Sequence, residues 1–238
     1  MKNFHLTFCV ILLFVIFSSC EKITGKGPVV VENRQTASFN GLELKIPADT
    51  YFTQDSVYKI ELHAQENILD EIETTVINNN LTIRFRHNNT RIRSSEGITI
   101  YVSAPDVRWL SVDGSGYLEV PAPYTPANLG LNVDGSGSIK VSNVITTEIN
   151  NDIDGSGSIT VSSGNANATN AHISGSGSMD LSGVMVKDAT AGIHGSGNIK
   201  LFATQTLDAS ITGSGSVFYK GSPTVTTHIT GSGTVAHF

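Results

Sequence analysis

The sequence predicts an all-β protein, a parallel β-solenoid of about seven coils with an N-terminal β-rich capping region. Three observations carry that prediction. Gly-Ser-Gly recurs seven times, beginning at Gly114, Gly135, Gly155, Gly175, Gly195, Gly213 and Gly231, at spacings of 21, 20, 20, 20, 18 and 18 residues. A period near 20 is what a solenoid produces, because each coil returns the same residue to the same wall. Two residues before each triplet stands a β-branched aliphatic: Val112, Val133, Ile153, Ile173, Ile193, Ile211 and Ile229. Such residues suit a packed strand. Four and six residues after each triplet's first glycine come mostly apolar columns, Leu118 and Val120 in the first repeat, Ile159 and Val161 in the third. The residue between them is mostly polar, as in Lys140 or Thr160, which is the alternation of a half-buried strand.

A hairpin meander would reverse successive strands through turns at about 8–12-residue spacing. Here the same pattern recurs in the same direction, so parallel stacking at ~4.8 Å per coil fits, a rod roughly 30 Å long. The triplet sits at the bend between walls, where glycine permits a close approach that a Cβ would forbid.

Ahead of the repeats the elements come in order. Residues 1–19 read as a lipoprotein-type signal peptide, with Lys2 and an apolar run of ten residues from Phe8 to Phe17. That run is short of the ~20 apolar residues a spanning helix needs. It ends in Phe17-Ser18-Ser19-Cys20, which resembles the bacterial lipobox, with Phe17 where an aliphatic is usual. The resemblance implies acylation of Cys20 and attachment to the membrane through an N-terminal lipid. Cys9 departs with the signal, so Cys20 has no intramolecular disulfide partner. Residues 20–36 read as a tether, polar and Gly-containing from Glu21 to Pro28. Residues 37–110 form the N-terminal β-rich region and 111–238 the solenoid. Within the former, Phe39 to Ile46, Tyr58 to Ala64, Leu81 to Phe85 and Ile98 to Val102 alternate as strands. Asn67–Val76 has helix-like spacing, and Asn78-Asn79-Asn80 is a turn.

The stretch from Phe39 through Leu81-Thr82-Ile83 to Asp113-Gly114-Ser115-Gly116 and its successors resembles a bacterial family of unknown function, the putative auto-transporter adhesin, head GIN domain. The resemblance covers residues 38 to 220. It implies a secreted or lipid-anchored adhesin, and it brings no catalytic or binding residues with it.

Several groups of residues invite a functional reading. Arg84, Arg86, Arg91 and Arg93 flank His87-Asn88-Asn89-Thr90, read as a hairpin tip with all four guanidinium groups on one face, an anion or glycan patch. The plainer reading is a charged edge strand that resists aggregation. Asp113, Asp134 and Asp154 would stack about 5 Å apart, as exposed turn residues or around a cation such as Ca²⁺; the former is favoured and no metal is expected. The central serines have no histidine column to activate them, so no catalytic residue is assigned. Trp109, Tyr117 and Tyr124 could stack on sugars, though packing where the two regions meet is the plainer expectation.

The net charge of −6, with every Arg at or before Arg108, gives no reason to expect a nucleic-acid partner. The function expected is a non-enzymatic lipoprotein of the cell envelope or outer membrane, periplasmic or surface-exposed, acting as an adhesin or binding scaffold without a cofactor. Its partners would be a glycan or a surface protein. The alternatives are a carbohydrate-active β-helix protein (glycan binding, lyase or hydrolase) or a purely structural envelope component. Phe218, Tyr219 and Phe238 are expected to plug the last coil, with end-to-end self-association as the alternative.

Overall fold

A computed structural model describes residues 22–87 and 90–238. Cys20 and the expected signal segment lie outside the described residues. The repeat winds a β-solenoid of about six turns. Its first wall stacks Trp109–Gly114, Leu129–Gly135, Glu148–Gly155 and Ala168–Gly175, then the C-terminal parts of Ser178–Gly195 and Asn198–Gly213, then Thr224–Gly231. All pair in parallel, with each triplet's first glycine aligned on the one before. Val112, Val133, Ile153, Ile173, Ile193 and Ile211 therefore form one inward column, and all are buried. The second wall runs from Tyr117–Tyr124 and Ser138–Ile145 to Ser216–Lys220 and Thr234–His237, again in parallel register. A third, shorter wall pairs Val144 with Gly164 and Gly164 with Val184. The expected count of seven coils is corrected to about six, because the coil holding Gly231-Ser232-Gly233 pairs only along the first two walls.

The corner explains the triplet. At Gly155 the backbone has φ +124°, and a Cβ there would strike the carbonyl oxygen of Gly135 in the coil before. At Gly157 a Cβ would strike both the Gly137 oxygen and the Val133 side chain. The serine between them keeps its side chain in solvent while its amide bonds the previous coil: Ser156 N donates to Gly135 O at 2.9 Å, and Ser176 N to Gly155 O at 2.9 Å. The parallel ladder thus continues around the bend.

The N-terminal region prolongs the same two walls. Gly41–Leu44 pairs in parallel with Trp109–Gly114, and Asn80–Phe85 stacks on its other side. Asp49–Gln54 pairs with Tyr117–Tyr124, and Thr99–Ala104 stacks beyond it. The division read at residue 110 falls inside Trp109–Gly114. Antiparallel strands cover this end. Ile72–Ile77 pairs with Asn80–Phe85, Lys59–Gln65 with Thr99–Ala104, and Val29–Arg34 with Lys59–Gln65. Part of the expected tether is therefore sheet, because the β-branched run Val29-Val30-Val31 extends and pairs.

The expected helix over Asn67–Val76 reduces to one turn, Glu66–Leu69. Ile68, Leu69 and Ile72 are buried because the chain turns a corner there. Thr74, Thr75, Val76 and Ile77 are all β-branched and take the strand. Asn78 and Asn79 then make the tight turn with φ of 52° and 62°, which Asn tolerates better than most residues. At the far end Tyr219 packs against the core and meets His237 edge-on at 5.3 Å. Phe238 is 53% exposed and Phe218 aligns with the outward Lys200, so neither fills the interior as expected.

Candidate ligand-binding surfaces

Alternation leaves three outward columns on the first wall, each crossing the coils in register. The column nearest the triplets runs Asp113, Asp134, Asp154, Ser174, His194, Thr212 and Thr230. The three carboxylates do stack. Lys45, one residue beyond Gly41–Leu44, relieves the repulsion at one end through Asp113 at 3.0 Å and Glu43 at 3.1 Å. The hydrogen bond to Asp113 is the main reason the Lys45 pKa is raised. Among the described residues, no group of three or more His, Cys, Asp and Glu is arranged to hold a metal ion. The seven central serines are exposed, and no hydrogen bond joins one to a histidine among the described residues.

The arginines do not share a hairpin face, which corrects the expected geometry. Asn80–Phe85 already pairs with Ile72–Ile77 on one edge and Gly41–Leu44 on the other, so Arg91–Arg93 cannot join it. Arg91–Arg93 pairs instead with Lys22–Thr24 in a separate two-stranded sheet. Arg84 bonds Glu73 at 2.6 Å, and the Nε of Arg86 donates to the Asp70 carbonyl at 2.7 Å. Both are thereby occupied by the fold, whereas Arg91 and Arg93 are exposed. Arg84 and Arg93 line different recesses, the former beside Lys45 and His87, the latter beside Gln65 and Ser94.

The aromatics separate into three fates. Tyr124 is wholly buried against Phe52, edge-on at 5.5 Å, and burial pushes its hydroxyl pKa up. Tyr117 is half-buried; it donates to Glu119 at 2.9 Å, and Glu119 also pairs with Lys140 at 2.8 Å. The bond from Lys140 is the largest cause holding the Glu119 carboxyl below its ordinary value, with Tyr117 adding to it. Trp109 contradicts the packing expectation, for it is 42% exposed.

Trp109 stands in the outward column between Gly41 and Gly130, followed by Asn150, Asn170 and Thr190. A Cβ on Gly130 would run into the indole at Cε3 and Cζ3. The ring lies over that glycine because no side chain intervenes. Beyond it, Asn170 Nδ2 donates to Asn150 Oδ1 at 2.8 Å and to Glu148 Oε1 at 2.8 Å, fixing the amides in a ladder. The sequence signal was present: a glycine inside a strand, as in Leu129-Gly130-Leu131, marks a close approach.

Fold and columns together define a parallel β-solenoid repeat protein with short corners and flat, polar outer walls. The chain belongs to the family described as "Putative auto-transporter adhesin, head GIN domain", whose model matches residues 38–223. Solved structures share the fold. One described as a putative adhesin from Bacteroides fragilis is 23% identical with a TM-score of 0.85, over 91% of this chain and 100% of that one. A putative lipid binding protein from Parabacteroides distasonis is 24% identical with a TM-score of 0.76, over 92% of this chain and 100% of that one. A putative adhesin from Parabacteroides merdae is 21% identical with a TM-score of 0.71, over 92% of this chain and 99% of that one. No curated protein matches the chain.

Proposed function

We propose that this protein is a non-enzymatic adhesin or binding scaffold of the bacterial cell envelope, held at the outer membrane by a lipid on Cys20. The observation that carries the reading is the unbroken register of the outward columns. From Trp109 to Gly231 every coil places its outward residues beside their counterparts, so the chain spends its length on a rigid wall and little on loops. A wall fixed by a backbone ladder loses little conformational freedom when a partner docks, which favours binding. The family's description as an adhesin supports the same reading. None of the helices described is long and apolar enough to cross a membrane, and attachment comes instead from acylation of Cys20, which follows the Phe8–Phe17 run and Ser18-Ser19.

The experiment is fractionation of cells expressing wild type and Cys20→Ala with metabolic acyl labelling. Wild type should label and sediment with membranes. Cys20→Ala should lose the label and appear in the soluble extract. Membrane retention of the unlabelled variant would refute the anchor.

A further inference from the structure

Resting on the adhesin reading, we propose that the outer face of the first wall binds a neutral glycan, with the Trp109 indole as stacking platform and Asn150 and Asn170 as the polar grip. Large apolar rings are normally buried, and here the fold keeps one at the surface. Gly41 and Gly130 flank Trp109 in its column, so neither neighbouring strand covers the ring with a side chain. Its weight rests on the Gly130 backbone while 42% of the residue stays open to solvent. An indole held against the backbone of a sheet offers a rigid surface to the C–H face of a pyranose, at small entropic cost.

The polar half of the site lies in the same column. Asn150 and Asn170 stand two and three coils from Trp109, about 10 and 14 Å away at the ~4.8 Å strand spacing. That distance suits an oligosaccharide of a few units lying along the solenoid axis. Among the described residues, the bonds from Asn170 Nδ2 to Asn150 and Glu148 leave the Asn150 NH2 and the Asn170 carbonyl for a ligand. Together they offer a donor and an acceptor to sugar hydroxyls.

Charge selects the ligand class. Asp152 stands in the adjoining column and Asp113, Asp134 and Asp154 in the one beyond it, while the nearby cations Lys45 and Arg108 are paired with Asp113 and Asp106. Uronic, sulfated or phosphorylated chains would be repelled from this face, whereas a neutral chain carries no such cost.

Trp109 is the sole tryptophan of the chain, so its emission reports on the site directly. The unlipidated protein is titrated with cellohexaose, maltohexaose and mannohexaose, and in parallel with trigalacturonate and tetralysine. A saturable emission change is expected with at least one neutral hexasaccharide, insensitive to added salt. Asn170→Ala should weaken it roughly tenfold with an unchanged melting temperature, and Trp109→Ala should abolish the calorimetric signal. The proposal is overturned if no neutral sugar alters emission, if binding survives Trp109→Ala, or if only tetralysine binds, which would mark a basic-peptide site. Retention of protein-coated beads on cells, measured beside it, separates the two claims. Retention without sugar binding removes this site alone, whereas loss of both removes the adhesin reading too.

Discussion

A Cβ at the second glycine of each triplet has nowhere to go. At Gly157 the Gly137 carbonyl and the Val133 methyl group occupy its place, and both belong to the ladder and core. Gly157→Ala should therefore cost about 1–3 kcal/mol through overpacking. Ser156→Ala should fall within about 0.5 kcal/mol, since that side chain is solvated. Urea melts of the two variants measure the contrast, and equal midpoints would refute the corner geometry. This part of the fold was legible in the sequence because packing repeats with the chain: the same clash recurs at each coil, so the same residues recur. Trp109 was not legible in the same way. Its exposure depends on Gly130, a residue 21 positions away that becomes a neighbour only after the coils stack.

Between strands, the ion pair from Glu119 to Lys140 links neighbouring coils of the second wall. The Glu119 carboxyl is held below its ordinary 4.5, so its stabilising effect is present above that pH. That effect is lost as pH falls through the lowered folded-state value. Lys140→Met should raise the Glu119 pKa toward 4.5, as followed by carboxyl NMR chemical shifts. Its stability deficit should be present at neutral pH and shrink under acid. A Glu119 titration unmoved by Lys140→Met would show that the pair is not formed in solution. The antiparallel cover shows where element-level reading fell short. Ile68, Leu69 and Ile72 have helical spacing, yet they are buried across a corner, and the β-branched run after Glu73 decides for strand. The arginine hairpin failed for a different reason. Both edges of Asn80–Phe85 were already taken, and no local pattern reveals an occupied edge.

Across the whole molecule the two walls run without a break from Asn80–Phe85 and Thr99–Ala104 to the last coil. Stability should then follow nearest-neighbour stacking, and a charge driven into one coil should unzip the wall. Ile153 is 1% exposed in the middle of the stack, so Ile153→Asp should abolish cooperative folding. Phe238 is 53% exposed, so Phe238→Ala should leave the melting temperature close to wild type. A large drop would mean that this ring closes the interior after all. Adhesion by the folded wall itself, as proposed above, must depend on its folding. The most direct measurement compares retention, on cells and on polysaccharide-coated surfaces, of beads carrying the unlipidated chain with beads carrying Ile153→Asp. Saturable retention by the wild-type beads alone is the predicted result. Retention no greater than that of albumin-coated beads, or equal retention by Ile153→Asp, would contradict it.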